Sequence, residues 1–66
     1  MALTDKQEMF CREYLIDLNA TQAAIRAGYS EKTANEQGSQ NLAKLNIQSR
    51  ISELKAERND RVEDDA

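Results

Sequence analysis

Histidine, proline and tryptophan are absent from these 66 residues, which hold one cysteine, Cys11, and only two glycines, Gly28 and Gly38. Without histidine, Cys11 has no imidazole to activate it, and its place on the inner side of an expected helix reads as buried filler rather than nucleophile. A single cysteine excludes an intrachain disulfide and a cysteine metal cluster, which fits a reducing compartment. Two isolated glycines cannot build a phosphate-cradling loop, and Asp64 and Asp65 at the chain end do not make a two-metal site. The expectation is therefore a non-enzyme with no cofactor. No apolar run exceeds a few residues, which excludes a membrane span and the h-region of a secretory signal within this sequence. Bulky apolar side chains are scarce as well. The aromatics are Phe10, Tyr14 and Tyr29 alone, and a chain this short buries only ~60% of its unfolded surface. Any core must be compact and helical.

What the chain does have is charge, unevenly spread. The net charge is −3, discouraging for a phosphate partner taken as a whole. Residues 1–50 balance Lys6, Arg12, Arg26, Lys32, Lys44 and Arg50 against Asp5, Glu8, Glu13, Asp17, Glu31 and Glu36, so the entire excess lies in residues 51–66. Composition neither demands nor excludes DNA.

The pattern predicts an all-α fold, a compact bundle of about four helices. Thr4 and Gln7 fit a capping box opening a helix over residues 5–17, with Phe10, Cys11, Tyr14, Leu15 and Leu18 on its inner stripe. Met9 and Ile16 form a second apolar strip on that helix. It is expected to pack under the fourth helix, with contact between neighbouring domains as the alternative. Asn19 can cap a short second helix, with Gln22 in the reciprocal position, and Gly28 supplies the left-handed residue that ends it. Ser30 can cap a third helix over 31–44. Asn46 can cap a fourth from about Ile47, with Ile51 and Leu54 facing inward, and the apolar rhythm fades after Arg58. With no proline, the only breaker inside a helix is Gly38.

In "NATQAAIRAGYS", Ala20, Ala23, Ala24 and Ala27 share one face of the second helix. Small side chains there let another helix approach closely, as a helix-turn-helix requires. The turn would be Gly28-Tyr29-Ser30. Ala24 stands four residues before the turn glycine and Ala34 six after it, in keeping with that motif; simple close packing of helices is the other account. Gly38 costs ~1 kcal/mol relative to alanine inside a helix, and it shares a face with Ala34 and Leu42, so close contact with the first or second helix is expected. Lys32, Asn35, Glu36, Ser39 and Gln40 remain on the solvent face. Asn and Gln can pair with adenine through two hydrogen bonds, Glu can accept from cytosine, Ser can play either part, and Lys can hold guanine or phosphate. The same residues would also make an ordinary hydrated surface. The contact candidates are Ser30, Lys32, Asn35, Ser39 and Gln40, with Arg26 and Lys44 on phosphate.

The run "LTDKQEMFCREYLIDLNATQAAIRAGYSEKTANEQGSQNLAKLNIQSRISELKAE" resembles the N-terminal domain of phage terminase small subunits. "LTDKQ", "EYL" before "NATQAAIRAGYS", "TA" followed by a glycine, "NL", and Ile47 and Ile51 carry the likeness over nearly the whole chain. The resemblance implies recognition of the packaging-start region of double-stranded viral DNA in the host bacterial cytoplasm. It also implies a large-subunit partner that holds the ATPase and nuclease, and ring assembly through regions expected to be missing here, which leaves this fragment monomeric. On that reading residues 1–58 are the DNA-binding domain and 59–66 an acidic, frayed tail or the start of a linker to an absent oligomerisation domain. Lys55, Arg58 and Arg61 recur at three-residue spacing among Glu53, Glu57 and Asp60, the pattern of a solvated helix rather than a phosphate strip. A phage or prophage transcriptional regulator and a helical protein-interaction module without DNA binding are the alternatives.

Overall fold

The computed structural model describes residues 3–65, with side chains through residue 57. Among the described residues there are four helices, α1 (Asp5–Asp17), α2 (Ala20–Arg26), α3 (Ala34–Ala43) and α4 (Leu45–Asp65), and no strand. Each boundary has a local cause. Thr4 Oγ1 accepts from the Gln7 amide at 3.1 Å while Gln7 Oε1 accepts from the Thr4 amide at 3.1 Å, the expected capping box. Asn19 Oδ1 accepts from the Gln22 amide at 3.1 Å and caps α2. The reciprocal half is not made by Gln22: the Asn19 amide donates instead to Asp17 Oδ1 at 3.2 Å.

Gly28 ends α2 at φ +107°. Around it the Tyr29 amide donates to the Ala24 carbonyl at 2.9 Å and the Gly28 amide to the Ile25 carbonyl at 3.0 Å, the paired bonds of a Schellman motif. The left-handed geometry explains why glycine stands there, since a side chain rarely adopts it.

Two expected boundaries move. The third helix starts at Ala34, not Glu31. Ser30 Oγ accepts from the Lys32 amide at 3.2 Å and the Ser30 carbonyl from the Thr33 amide at 3.1 Å, so serine closes a turn over residues 30–33 rather than a helix. Thr33 is the N-cap, without a side-chain cap bond. The connection between α2 and α3 is accordingly longer than Gly28-Tyr29-Ser30 alone. The fourth helix begins at Leu45 rather than Ile47, because Lys44 turns extended (φ −84°, ψ 135°) and its carbonyl already accepts from the Gln48 amide at 3.0 Å.

The core is thin and largely made of small residues. Phe10, Cys11, Ala23, Ala24, Ala34 and Ile47 are fully buried, with Leu54 nearly so. Burying Phe10 and Ile47 stabilises by about 1.5–3 kcal/mol each, and Tyr14 stacks beside Phe10 at 6.0 Å between ring centroids. The alanine face holds as expected, with Ala20 and Ala27 packed around the buried Ala23 and Ala24. Gly38 is a close approach: a Cβ there would stand 2.8 Å from the Ala20 carbonyl oxygen and 3.1 Å from the Ala20 Cβ.

The outer strip of α1 does not pack under α4. Met9 and Ile16 are 45% and 68% exposed, because α1 turns Cys11 and Glu8 toward α4 instead. Leu18 also leaves the expected inner stripe. It is the C-cap of α1 at φ 56°, with its side chain 64% exposed. The expected frayed tail falls on residues 59–66, whose side chains, Arg61 among them, lie with that of Arg58 outside the described residues.

Candidate nucleic-acid interface

The turn between α2 and α3 is tied down from both sides. Asn41 is buried, and its Nδ2 donates to the Tyr29 hydroxyl at 3.3 Å. On the opposite side the Lys6 ammonium lies 5.0 Å from the Tyr29 ring centroid, a cation–π contact reaching from α1. A tyrosine in the turn is thus held by residues of the first and third helices. These contacts add to the packing of Ala34 and Gly38 that seats α3 on α2.

The outward surface of α3 is polar. Asn35, Glu36, Ser39 and Gln40 are exposed along it, with Lys32 before it and Lys44 after it, both also exposed. Ser30 is exposed, and its hydroxyl already accepts from the Lys32 amide. Lys32 therefore stands in the turn rather than on the helix. Asn35 is the second residue of α3, and its Oδ1 accepts from the Thr21 hydroxyl of α2 at 3.4 Å. The face carries amides, a hydroxyl and one carboxylate, donors and acceptors suited to base edges more than to phosphate.

Arg26 is placed differently from the other candidates. Its Nε donates to Glu13 Oε1 at 2.6 Å, its Nη2 to Asp17 Oδ1 at 3.2 Å and to the Glu13 carbonyl at 3.1 Å, and its Nη1 to Asp17 Oδ2 at 3.4 Å. Two carboxylates compensate its charge. The same pairing holds the Asp17 carboxyl below its usual range and strengthens the hold of Arg26 on its proton, with Asp17 and then Glu13 as the causes. Arg26 joins α2 to α1, whereas Lys32 and Lys44 stand exposed.

A second cluster joins α1 to α4. Arg50 Nε and Nη2 donate to the two oxygens of Glu8 at 2.9 and 2.8 Å, and its Nη1 donates to Glu53 at 2.8 Å. Arg12 Nε reaches the same Glu8 at 2.8 Å. Bonding to Arg50, helped by Arg12, lowers the Glu8 carboxyl below its usual range against the opposing effect of desolvation. Burial, with Glu8 nearby, pushes the Cys11 thiol up, and its Sγ contacts the Ile47 carbonyl at 3.9 Å. A thiol so placed packs rather than reacts. No group of three or more Cys, Asp or Glu side chains among the described residues is arranged to hold a metal ion.

A family model of terminase small subunits matches residues 3–66, from the start of the capping box through the last helix. The chain belongs to the terminase small subunit family. Among its relatives, the terminase small subunit of Bacillus phage SF6 is 54% identical over 50 residues, 74% of this chain and 34% of that one. That of Bacillus phage SPP1 is 46% identical over 55 residues, 82% and 37% of the two chains. The PBSX phage terminase small subunit of Bacillus subtilis (strain 168) is 40% identical over 55 residues, 83% and 21%. The chain thus spans from about a fifth to just over a third of the length of these family members.

The sequence pointed to the exposed residues of α3 but not to what holds them. Thr21, Asn41, Tyr29 and Lys6 make the contacts around this surface; the sequence placed Tyr29 in the turn but gave none of the four a positioning role. Asn41 had one signal available, a polar residue three positions beyond Gly38 on the inward side of α3. Thr21 and Lys6 had none, because their partners are 14 and 23 residues away.

Proposed function

We propose that this chain is the DNA-reading domain of a terminase small subunit, acting in viral genome packaging without catalysing a step itself. Its partner is double-stranded viral DNA in the host bacterial cytoplasm. Ser30, Lys32, Asn35, Ser39 and Gln40 face the groove, and Lys44 lies against phosphate. Arg26 acts as a clamp between α1 and α2, its charge already compensated. The observation that carries the reading is the exposed amide and hydroxyl face of α3, held against α2 by the close approach of Gly38 to Ala20. A helix that presents hydrogen-bonding side chains outward while its glycine fits against a preceding short helix suits the reading element of a helix-turn-helix.

The large terminase subunit and further copies of this chain are partners of the longer protein. Several copies held together would raise a weak single-module affinity through effective concentration. This agrees with a domain whose first fifty residues carry no net charge.

The test is a low-salt NMR titration of the labelled protein with short DNA duplexes. Shifts concentrated in residues 30–44 are expected, together with slower changes in Lys6 and Thr21. A titration that moves no amide would overturn the DNA reading and favour a protein-interaction module, for which the exposed Ile16 and Leu18 supply apolar surface.

A further inference from the structure

Asn35 is well placed for base recognition, yet an exposed asparagine on its own samples several rotamers and both orientations of its amide. The contact with Thr21, 3.4 Å between hydroxyl and amide oxygen, narrows that freedom. Thr21 lies on α2, is only partly exposed, and donates its hydroxyl hydrogen to Asn35 Oδ1 across the α2–α3 boundary. As a β-branched residue it is stiff about χ1. It also follows Ala20, whose carbonyl oxygen is the atom that a Cβ at Gly38 would stand nearest to. The close approach of Gly38 to Ala20 therefore holds the neighbouring Thr21 beside α3.

We infer that Thr21 is a positioning residue that pre-sets Asn35 to read an adenine in the major groove, an inference that rests on the DNA reading above. The chemistry follows from the atoms. Thr21 uses one lone pair of Oδ1, and the other stays available. With Oδ1 held on the α2 side, Nδ2 is directed away from Thr21. Adenine presents an acceptor at N7 beside a donor at N6, so Nδ2 can donate to N7 while Oδ1 accepts from N6. Guanine presents two acceptors along the same edge and would face Oδ1 with O6. Biasing the side chain before association lowers the ordering cost that an unrestrained asparagine would pay on binding.

The experiment is selection from a pool of random-sequence DNA duplexes at low salt, with sequencing of the bound fraction. It is run for the native protein and for Thr21→Ser, Thr21→Val and Asn35→Ala, with the melting temperature of each recorded. The native protein should enrich a motif containing an adenine whose preference disappears in Asn35→Ala. At that position alone, Thr21→Val should lower the preference by about three- to tenfold, within the range a two-bond asparagine–adenine pair can supply. Thr21→Ser keeps the hydroxyl and should restore the preference. A purely structural role for Thr21 would weaken binding to every duplex alike and leave the base preference intact, which overturns the inference. So would a guanine or pyrimidine at the position that depends on Asn35. Failure of the native protein to enrich any sequence overturns the DNA reading itself, a result distinct from enrichment that ignores Thr21.

Discussion

Glycine 38 and leucine 18 occupy opposite situations. Gly38 lies in a helix, where alanine would gain about 1 kcal/mol in propensity, yet an added Cβ would stand 2.8 Å from a backbone oxygen. Backbone yields poorly, so Gly38→Ala should lower stability by about 1–3 kcal/mol in urea or thermal unfolding, the usual range for overpacking. Ala20→Gly should restore little of it, because the nearest atoms are the Ala20 carbonyl and not its side chain. Leu18 adopts φ 56° with most of its side chain in water. The left-handed region costs a side-chain-bearing residue about 1–2 kcal/mol, and the extra unfolded-state freedom of glycine offsets about 0.5–1 kcal/mol of that. Leu18→Gly should therefore raise stability by up to about 1 kcal/mol, read as a higher melting temperature.

At the scale of helices, α1 is fastened at two points by ion pairs. Glu8 binds Arg50 of α4, and Glu13 and Asp17 bind Arg26 of α2. These pairs are partly exposed, so each contributes modestly. Their pH signature is still directional. The folded-state pKa values of Glu8 and Asp17 lie below their ordinary values of 4.5 and 3.8, Glu8 through Arg50 and Asp17 through Arg26. A depressed carboxyl stabilises the fold above its unfolded pKa, and that contribution is lost as pH falls through the folded one. The melting temperature should drop on acidification from about pH 5 toward pH 3. The double variant Glu8→Gln and Asp17→Asn should show a lower melting temperature at neutral pH and a shallower fall with acid. The outward strip of α1 bears no such load. Ile16→Glu should preserve the helical circular dichroism and change stability by under about 1 kcal/mol, since Ile16 is 68% exposed.

For the whole molecule, charge placement governs how the domain would meet DNA. With Arg26 compensated, Lys32 and Lys44 are the bases flanking the exposed face of α3. Each phosphate contact contributes a slope of about −0.9 in log affinity against log salt. The one remaining phosphate contact, Lys44, predicts a slope of about −1 in fluorescence anisotropy with short duplexes, which Lys44→Ala should largely remove and Lys32→Ala should change less. A slope several times steeper would mean that a broader basic surface engages DNA.

Much of this protein was legible in order along the chain. The capping box at Thr4 and Gln7, the Asn19 cap, the glycine end at Gly28 and the inward alanine face are all decided by residues within a turn of one another, where propensity and short-range hydrogen bonding dominate. The start of α3 was misjudged for the same local reason, because a serine hydroxyl can close a turn as readily as it caps a helix. What lay beyond reach were contacts between residues distant in sequence. The capture of Arg26 by Glu13 and Asp17, the burial of Asn41 under Tyr29 and the bond from Thr21 to Asn35 each depend on how the helices are set against one another. Sequence by itself determined four helices, the caps of the first two at Thr4 and Asn19, and the polar face of α3. Only the tertiary structure decided which charges remain free, because a cation's availability depends on which carboxylates the packed helices bring within hydrogen-bond reach.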